Sequence, residues 1–187
     1  MKTPLERLDE PTIKAKRSLL KRISVIILIL LIVGFLIPER PQIPVAGATT
    51  SDWNHRSFWY EPWGASGVHK GIDIFAKKHT SLLSSTKGIV LFTGDVKLGG
   101  KVVVVLGPKW RLHYYAHLES ISSDSFSLVS AGEQIGTVGD SGNAAGKQPH
   151  VHYSIVSLLP YLWRVDLDAQ GWKKMFYLNP HRQLIER

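Results

Sequence analysis

The sequence contains no cysteine among its 187 residues. Disulfide bonds and thiolate metal ligands are therefore excluded, and any bound metal would have to be held by histidine, aspartate or glutamate. The eight histidines are consequently the first side chains to consider for metal chemistry. The lack of cysteine does not identify a compartment, although it is compatible with an oxidising one.

Dense basic runs interleaved with aromatic residues are also absent, so we expect no nucleic-acid binding. The formal net charge is +8, of which residues 1–40 supply +4 (8 Lys/Arg against 4 Asp/Glu) and residues 41–187 supply +4 (15 against 11). This mild excess would help the chain approach an anionic polymer. A hydrophobic content of 44% and the chain length predict one folded domain with an appendage.

One long apolar run lies near the N-terminus. Residues 23–37 carry no charge and follow a cluster of five lysines and arginines within residues 14–22. Because basic residues mark the cytoplasmic side, we predict a basic cytoplasmic segment at 1–22 and a transmembrane anchor at 23–38. The chain would then be a single-pass protein of the inner (cytoplasmic) membrane, with its N-terminus inside and the domain after the anchor in the periplasm or otherwise extracytoplasmic.

A cleaved signal peptide is the alternative interpretation of this run. Fifteen residues are short for a span of about 20, although Leu19 and Leu20 extend the run while Lys21 and Arg22 reach the interface. The sequence "AGA" at 46–48 has the form of a cleavage site, but two prolines and a long gap separate it from the run. We therefore favour the anchor, followed by a linker at 39–50 that is rich in proline, alanine and threonine.

The rest of the chain, 51–187, is predicted to be mainly β. Short segments rich in β-branched and aromatic residues recur between glycines, and a helical pattern occurs only at 168–176. Strands without alternating helices predict an antiparallel sheet. The predicted strands are 88–94, 101–107, 111–117, 134–139 and 150–156.

Three segments place histidine or aspartate opposite an apolar face, because strand side chains alternate with period two. Two histidines and one aspartate would suit a catalytic zinc site that keeps one position for water, and further imidazoles nearby would suit proton transfer. A purely structural site would need a fourth protein ligand instead. We expect His79 and His181, and also His113, to have ordinary surface or packing roles. The residues predicted to share a face are His69 with Asp73, His113 with Tyr115 and His117, and His150 with His152 and Ser154.

The ordered motifs "HKGIDI", "YYAHL", "AGEQIGTVGDSG" and "PHVHYSI" resemble the LytM/lysostaphin-type zinc endopeptidases of peptidase family M23. The resemblance covers about residues 67–157 and implies an antiparallel β domain with an open substrate cleft. It also implies a Zn²⁺ site formed by His69, Asp73 and His152. His117 and His150 would be the catalytic pair outside the ligand set, and the resemblance leaves open which of them is the general base.

The implied function is hydrolysis of peptide bonds in peptidoglycan cross-links or stem peptides. The alternative is a non-enzymatic, membrane-tethered activator or recruiter of another cell-wall hydrolase; no protein partner is indicated. All five site positions are present, which favours the enzyme. Two features depart from the family pattern: Ser154 stands where many relatives have glutamate, and residues 158–176 form an insertion. The aromatic segment 57–64 would either pack or cover the cleft, and we favour packing.

Overall fold

The computed structural model describes residues 4–185, with side chains described from residue 15 onward. The chain divides into two compact units, Met1–Ile37 and Pro38–Arg187. The first unit is the helix α1, Pro4–Leu36. Its stretch Ala15–Leu36 has a mean hydropathy of 2.6 and is unburied within the protein. At 1.5 Å per residue these 22 residues reach about 33 Å, enough to cross a hydrocarbon core of about 30 Å. The apolar helix thus supports the predicted membrane anchor.

Within the described residues, the second unit holds nine strands and a short C-terminal helix, α2, Pro180–Ile185. Each of the five strands predicted from the sequence is present, with ends shifted by a few residues. The remaining four strands are short, between two and four residues each. The strands are β1 Ile72–Phe75, β2 Ser81–Leu83, β3 Gly88–Val96, β4 Gly100–Gly107, β5 Arg111–Ile121, β6 Leu128–Val129, β7 Gln134–Val138, β8 His150–Ser157 and β9 Tyr177–Leu178.

The strands form one antiparallel sheet with the order β1-β8-β5-β4-β3-β6, while β7 pairs with β2 and β5, and β9 pairs with β8. The predicted antiparallel β architecture is confirmed. Strand β8 lies between β1 and β5 and therefore brings their side chains to one surface.

The core lies on the opposite face of these central strands. Ile72, Val151, Tyr153 and Ile155 are fully buried, as expected for the apolar side of alternating strands. The rings of Tyr115 and Tyr153 stack with centroids 5.2 Å apart. This packed layer fixes the strands beneath the polar face.

Residues 39–50, predicted as a linker, lie along β2 as part of the second unit. The amide of Leu83 donates to the carbonyl of Pro44 (2.6 Å), and the amide of Ala46 donates to the carbonyl of Ser81 (3.0 Å). Val45 is buried and forms an isolated bridge with Leu82. The prolines end regular pairing here, so the segment follows the sheet without becoming a strand.

The insertion after β8 contains two short 3₁₀ helices, Leu162–Arg164 and Gly171–Met175. The prediction of a helix over 168–176 is therefore only partly right. Gln170 takes a left-handed conformation with φ of 55°, which starts a new turn at Gly171 rather than continuing a helix from 168.

Candidate metal centre and cleft

Two adjacent strands and the segment before the first of them present the three predicted ligand residues. Asp73 of β1 stands directly opposite His152 of β8, and His69 lies in the turn that leads into β1. His152 Nδ1 lies 2.8 Å from Asp73 Oδ1, and His69 Nε2 lies 3.1 Å from Asp73 Oδ1 and 3.0 Å from His152 Nδ1. The sheet register thus brings one carboxylate oxygen and two imidazole nitrogens together.

The outer nitrogen of each ligand imidazole has its own partner. His69 Nδ1 donates to the carbonyl of Ser57 at 3.0 Å, and His152 Nε2 lies 2.9 Å from the hydroxyl of Ser154. A carbonyl oxygen only accepts, so Nδ1 of His69 carries a proton, and a neutral His69 imidazole would present its Nε2 lone pair to the Asp73 carboxylate. Two lone pairs at this distance repel each other unless a cation lies between them.

The electrostatics of the cluster suit a cation as well. Burial would raise the pKa of Asp73, but the adjacent imidazoles of His152 and His69 outweigh burial and hold that pKa far below its usual value. Burial lowers the pKa of His152, which favours the neutral imidazole. When both imidazoles bind a metal through a lone pair, the ligand set with an ionised aspartate carries a charge of −1.

These residues fit a zinc ion. Tetrahedral zinc with bonds of about 2.0–2.1 Å separates its ligand atoms by about 3.3 Å, close to the separations of 2.8–3.1 Å found here. Second partners such as the Ser57 carbonyl and the Ser154 hydroxyl orient ligand imidazoles in zinc sites. Three protein ligands leave one coordination position for water or substrate.

The strand β5 brings His117 to the same face, but not by simple alternation. The pairing of β5 with β4 shifts register between Tyr115 and Leu118, and His117 takes a left-handed φ of 66°. This bulge inserts one residue and turns the His117 side chain away from the core side that its parity with Tyr115 would give it.

The prediction that His113, Tyr115 and His117 share the site face is therefore wrong. His113 and Tyr115 are fully buried on the core side, where His113 bonds the hydroxyl of Tyr153 (2.7 Å) and Glu39 (2.8 Å). Tyr114 lies on the site side instead, with its ring centroid 6.4 Å from that of His152. Of the other two histidines expected to be ordinary, His79 is exposed and His181 accepts from the indole of Trp53.

His117 and His150 lie beside the ligand set with their ring centroids 5.1 Å apart. His117 Nδ1 donates to the carbonyl of Ser141 (2.9 Å), and His150 Nδ1 donates to the carbonyl of Gln148 (2.7 Å). Both rings therefore keep Nε2 as the nitrogen available for proton transfer. Burial lowers the pKa of His117 to about 4, so this imidazole is neutral at pH 7.

Several neighbours of the site have no clear signal in the sequence. Trp63, from the aromatic segment 57–64, stacks on His69 with ring centroids 4.0 Å apart. The segment also lines a cavity of about 310 Å³ together with Asp73 and Phe75. The carbonyls of Ser57, Ser141 and Gln148 act through the backbone, which no side-chain pattern reveals. The density of aromatic residues in 57–64 was the one available hint.

The fold and the site together define an antiparallel β domain that carries a histidine and aspartate cluster able to hold a metal ion. The family model of peptidase family M23 matches residues 67–160, half of the chain. The chain belongs to this family, as the sequence motifs predicted. Lysostaphin, an antimicrobial peptidase from Staphylococcus simulans, shares the fold: the structures align with a TM-score of 0.58 at 17% identity, covering 80% of this chain and 55% of lysostaphin.

The curated relatives of this chain include a cell division protein, an endopeptidase and an activator of other hydrolases. The cell division protein DipM of Caulobacter vibrioides is 30% identical over 63% of this chain and 20% of its own length. The peptidoglycan DD-endopeptidase ShyA of Vibrio cholerae is 31% identical over 47% of this chain and 20% of its own length. The murein hydrolase activator NlpD of Escherichia coli is 28% identical over 57% of this chain and 28% of its own length. The chain thus spans about a fifth to a quarter of these relatives.

Proposed function

We propose that this protein is a zinc-dependent endopeptidase that hydrolyses peptide bonds in peptidoglycan cross-links or stem peptides. The observation that carries the proposal is the complete set of five side chains on one face of the sheet. Three of them form the proposed ligand set, His69, Asp73 and His152. The other two, His117 and His150, have an imidazole nitrogen left for proton transfer.

Amide hydrolysis needs a base for the attacking water and an acid for the leaving amine. His69, Asp73 and His152 would hold zinc, which would supply Lewis acidity and lower the pKa of a bound water toward about 7. Burial lowers the pKa of His117 to about 4, so its imidazole is neutral at pH 7 and its Nε2 can accept a hydrogen bond from the attacking water. His150 lies beside it and shares the proton-transfer and oxyanion-stabilising roles.

We place the catalytic unit on the outer side of the inner membrane, with α1 as the single-pass anchor and the N-terminus in the cytoplasm. The basic cluster before the apolar run supports this orientation. The net charge of +4 over residues 41–187 suits approach to an anionic cell wall.

Similarity to the activator NlpD supports a second candidate function, in which the chain recruits or stimulates another cell-wall hydrolase. This function needs neither zinc nor direct cleavage. It predicts that purified protein releases no wall fragments but increases the activity of a partner enzyme.

The deciding experiment is mass analysis of fragments released from purified peptidoglycan of defined composition by the full chain in detergent. We expect peptide cleavage that a zinc chelator abolishes, that Asp73→Ala abolishes, and that the exposed control His79→Asn leaves intact. The fragment masses identify the bond that is cut. Undiminished release by Asp73→Ala would refute the ligand assignment. No release by the wild type, with stimulation of an added amidase, would establish the activator instead.

A further inference from the structure

The insertion at 158–176 carries an unusual concentration of exposed large apolar side chains. Leu162 is 68% exposed, Trp163 is 80% exposed and Leu167 is fully exposed. Three more apolar side chains there, Leu158, Val165 and Trp172, are about half exposed. Contiguous exposed apolar residues of this size mark an interaction surface rather than ordinary protein surface.

The backbone of this insertion is held in place, so its exposure is not that of a loose loop. The amide of Tyr161 donates to the carbonyl of Met175 at 2.8 Å, and Arg164 donates to the carbonyls of Lys174 and Tyr177. The amide side chain of Gln170 donates to the carbonyl of Ser66 at 2.9 Å. The two carboxylates of the insertion, Asp166 and Asp168, are both paired with Lys174.

The base of the insertion contacts a buried group that includes the first residues of the second unit. Glu39, three residues after the end of α1 at Leu36, is fully buried and pairs with Arg111 at 2.7 Å. The same guanidinium donates to the hydroxyl of Tyr161 at 3.4 Å. Three residues span about 11 Å at most, which is the length of chain that joins Glu39 to the end of α1.

We propose that the exposed side chains of the insertion dock on the lipid surface of the membrane that α1 crosses, an inference that rests on the proposed anchor. Tryptophan and leucine partition into the boundary between headgroups and acyl chains, and Lys174 offsets one of the two negative charges that Asp166 and Asp168 would bring there. Docking would hold the cleft in one orientation to the membrane, because the insertion also contacts the segment beside the ligand His69. That contact is the hydrogen bond of the Trp59 indole to the carbonyl of Ala169, at 3.0 Å.

The absence of cysteine gives a direct test, because a single introduced thiol is the only labelling site. The full chain with Leu167→Cys, labelled with an environment-sensitive fluorophore, is reconstituted in vesicles of zwitterionic phospholipid with a minor anionic fraction. Leu128→Cys is the matched control, because Leu128 is an exposed leucine, 78% exposed, that lies on β6 and outside the insertion. Nitroxide-bearing lipids should quench the label at position 167 at least about twofold more than the label at 128.

Co-flotation with the vesicles tests the membrane anchor separately from the docking of the insertion. A chain that does not float with lipid contradicts the anchor and the docking together. A chain that floats while its label at 167 is quenched no more than the control keeps the anchor and overturns the docking. A label at 167 that is shielded from water but not quenched by lipid nitroxide also overturns it, because another protein surface, such as a second copy, then covers the insertion.

Discussion

At the scale of single residues, Ser154 is the most informative departure from the family pattern. Its hydroxyl lies 2.9 Å from Nε2 of the proposed ligand His152, at the position where the family resemblance predicts a glutamate. When Nδ1 of His152 binds a metal, Nε2 carries the ring proton and donates a hydrogen bond to the Ser154 hydroxyl. A neutral hydroxyl makes the imidazole a weaker donor to the metal than a carboxylate would, but it fixes the same tautomer and ring orientation.

Replacing Ser154 with alanine should therefore weaken zinc binding without removing a ligand. We expect the zinc affinity of Ser154→Ala to fall by about tenfold or more, as measured by competition with a chromogenic chelator. Ser157→Ala is the control, because Ser157 is equally buried on β8 but bonds only the backbone of Leu159. Equal zinc affinities for the two variants would show that Ser154 does not orient His152.

At the scale of elements, the bulge in β5 shows where sequence reasoning reaches its limit. Period-two alternation predicted the faces of β1 and β8, since Asp73 and His152 lie on regular paired strands. The same rule failed on β5, where an extra residue interrupts the alternation. His113 and Tyr115 therefore point to one face of the sheet and His117 to the other. A bulge is set by how the neighbouring strands pair across the sheet, and the local sequence "YYAHL" contains no glycine to announce it.

Another cross-element feature is the buried group formed by Glu39, Arg111 and His113. It joins the segment after α1 to β5, with Glu39 2.7 Å from Arg111 and 2.8 Å from His113. Burial would raise the pKa of Glu39, but the hydrogen bond and charge of His113, followed by those of Arg111, outweigh burial and lower it. The carboxylate is therefore ionised in the folded protein and stabilises it.

This arrangement predicts a specific loss of stability in acid. Because the pKa of Glu39 is lower in the folded state than the unfolded value of about 4.3, its stabilisation is complete above that pH and is lost as the pH falls through the folded pKa. At pH 7 Glu39→Gln should lower the free energy of unfolding by about 3 kcal/mol, because Arg111 and His113 lose their charged partner. The difference from the wild type should shrink between pH 5 and pH 3.

Urea denaturation of the full chain in detergent, repeated across this pH range, measures the difference. Asp73 titrates alike in both proteins and so cancels in the comparison. The control Asp95→Asn removes an exposed carboxylate on β3 and should change stability little at any pH. A gap between Glu39→Gln and the wild type that stays constant down to pH 3 would contradict an ionised Glu39 as its source.

At the scale of the whole molecule, the sequence predicted the antiparallel architecture and the five strands that form most of the sheet. It did not predict that residues 39–50 pack along β2, because prolines at 41 and 44 mask the apolar alternation of Ile43 and Val45. For residues 158–176 the sequence predicted an insertion but not its shape. The insertion's shape depends on contacts with distant segments, such as the hydrogen bond of Gln170 to Ser66, which no local pattern encodes.

The ligand cluster joins β1, β8 and the turn at His69, so metal binding should stabilise the second unit as a whole. A ligand that binds only the folded state adds about 2.7 kcal/mol at a concentration one hundred times its dissociation constant. For a unit of this size, 150 residues from Pro38 to Arg187, that corresponds to a rise in Tm of about 5–10 °C.

Calorimetry of the full chain in detergent, with zinc or with a chelator, measures this shift. Asp95→Asn should retain the shift and Asp73→Ala should lose it, since only Asp73 supplies a carboxylate to the cluster. A zinc-dependent rise in Tm that survives in Asp73→Ala would mean that the metal stabilises the fold from another site.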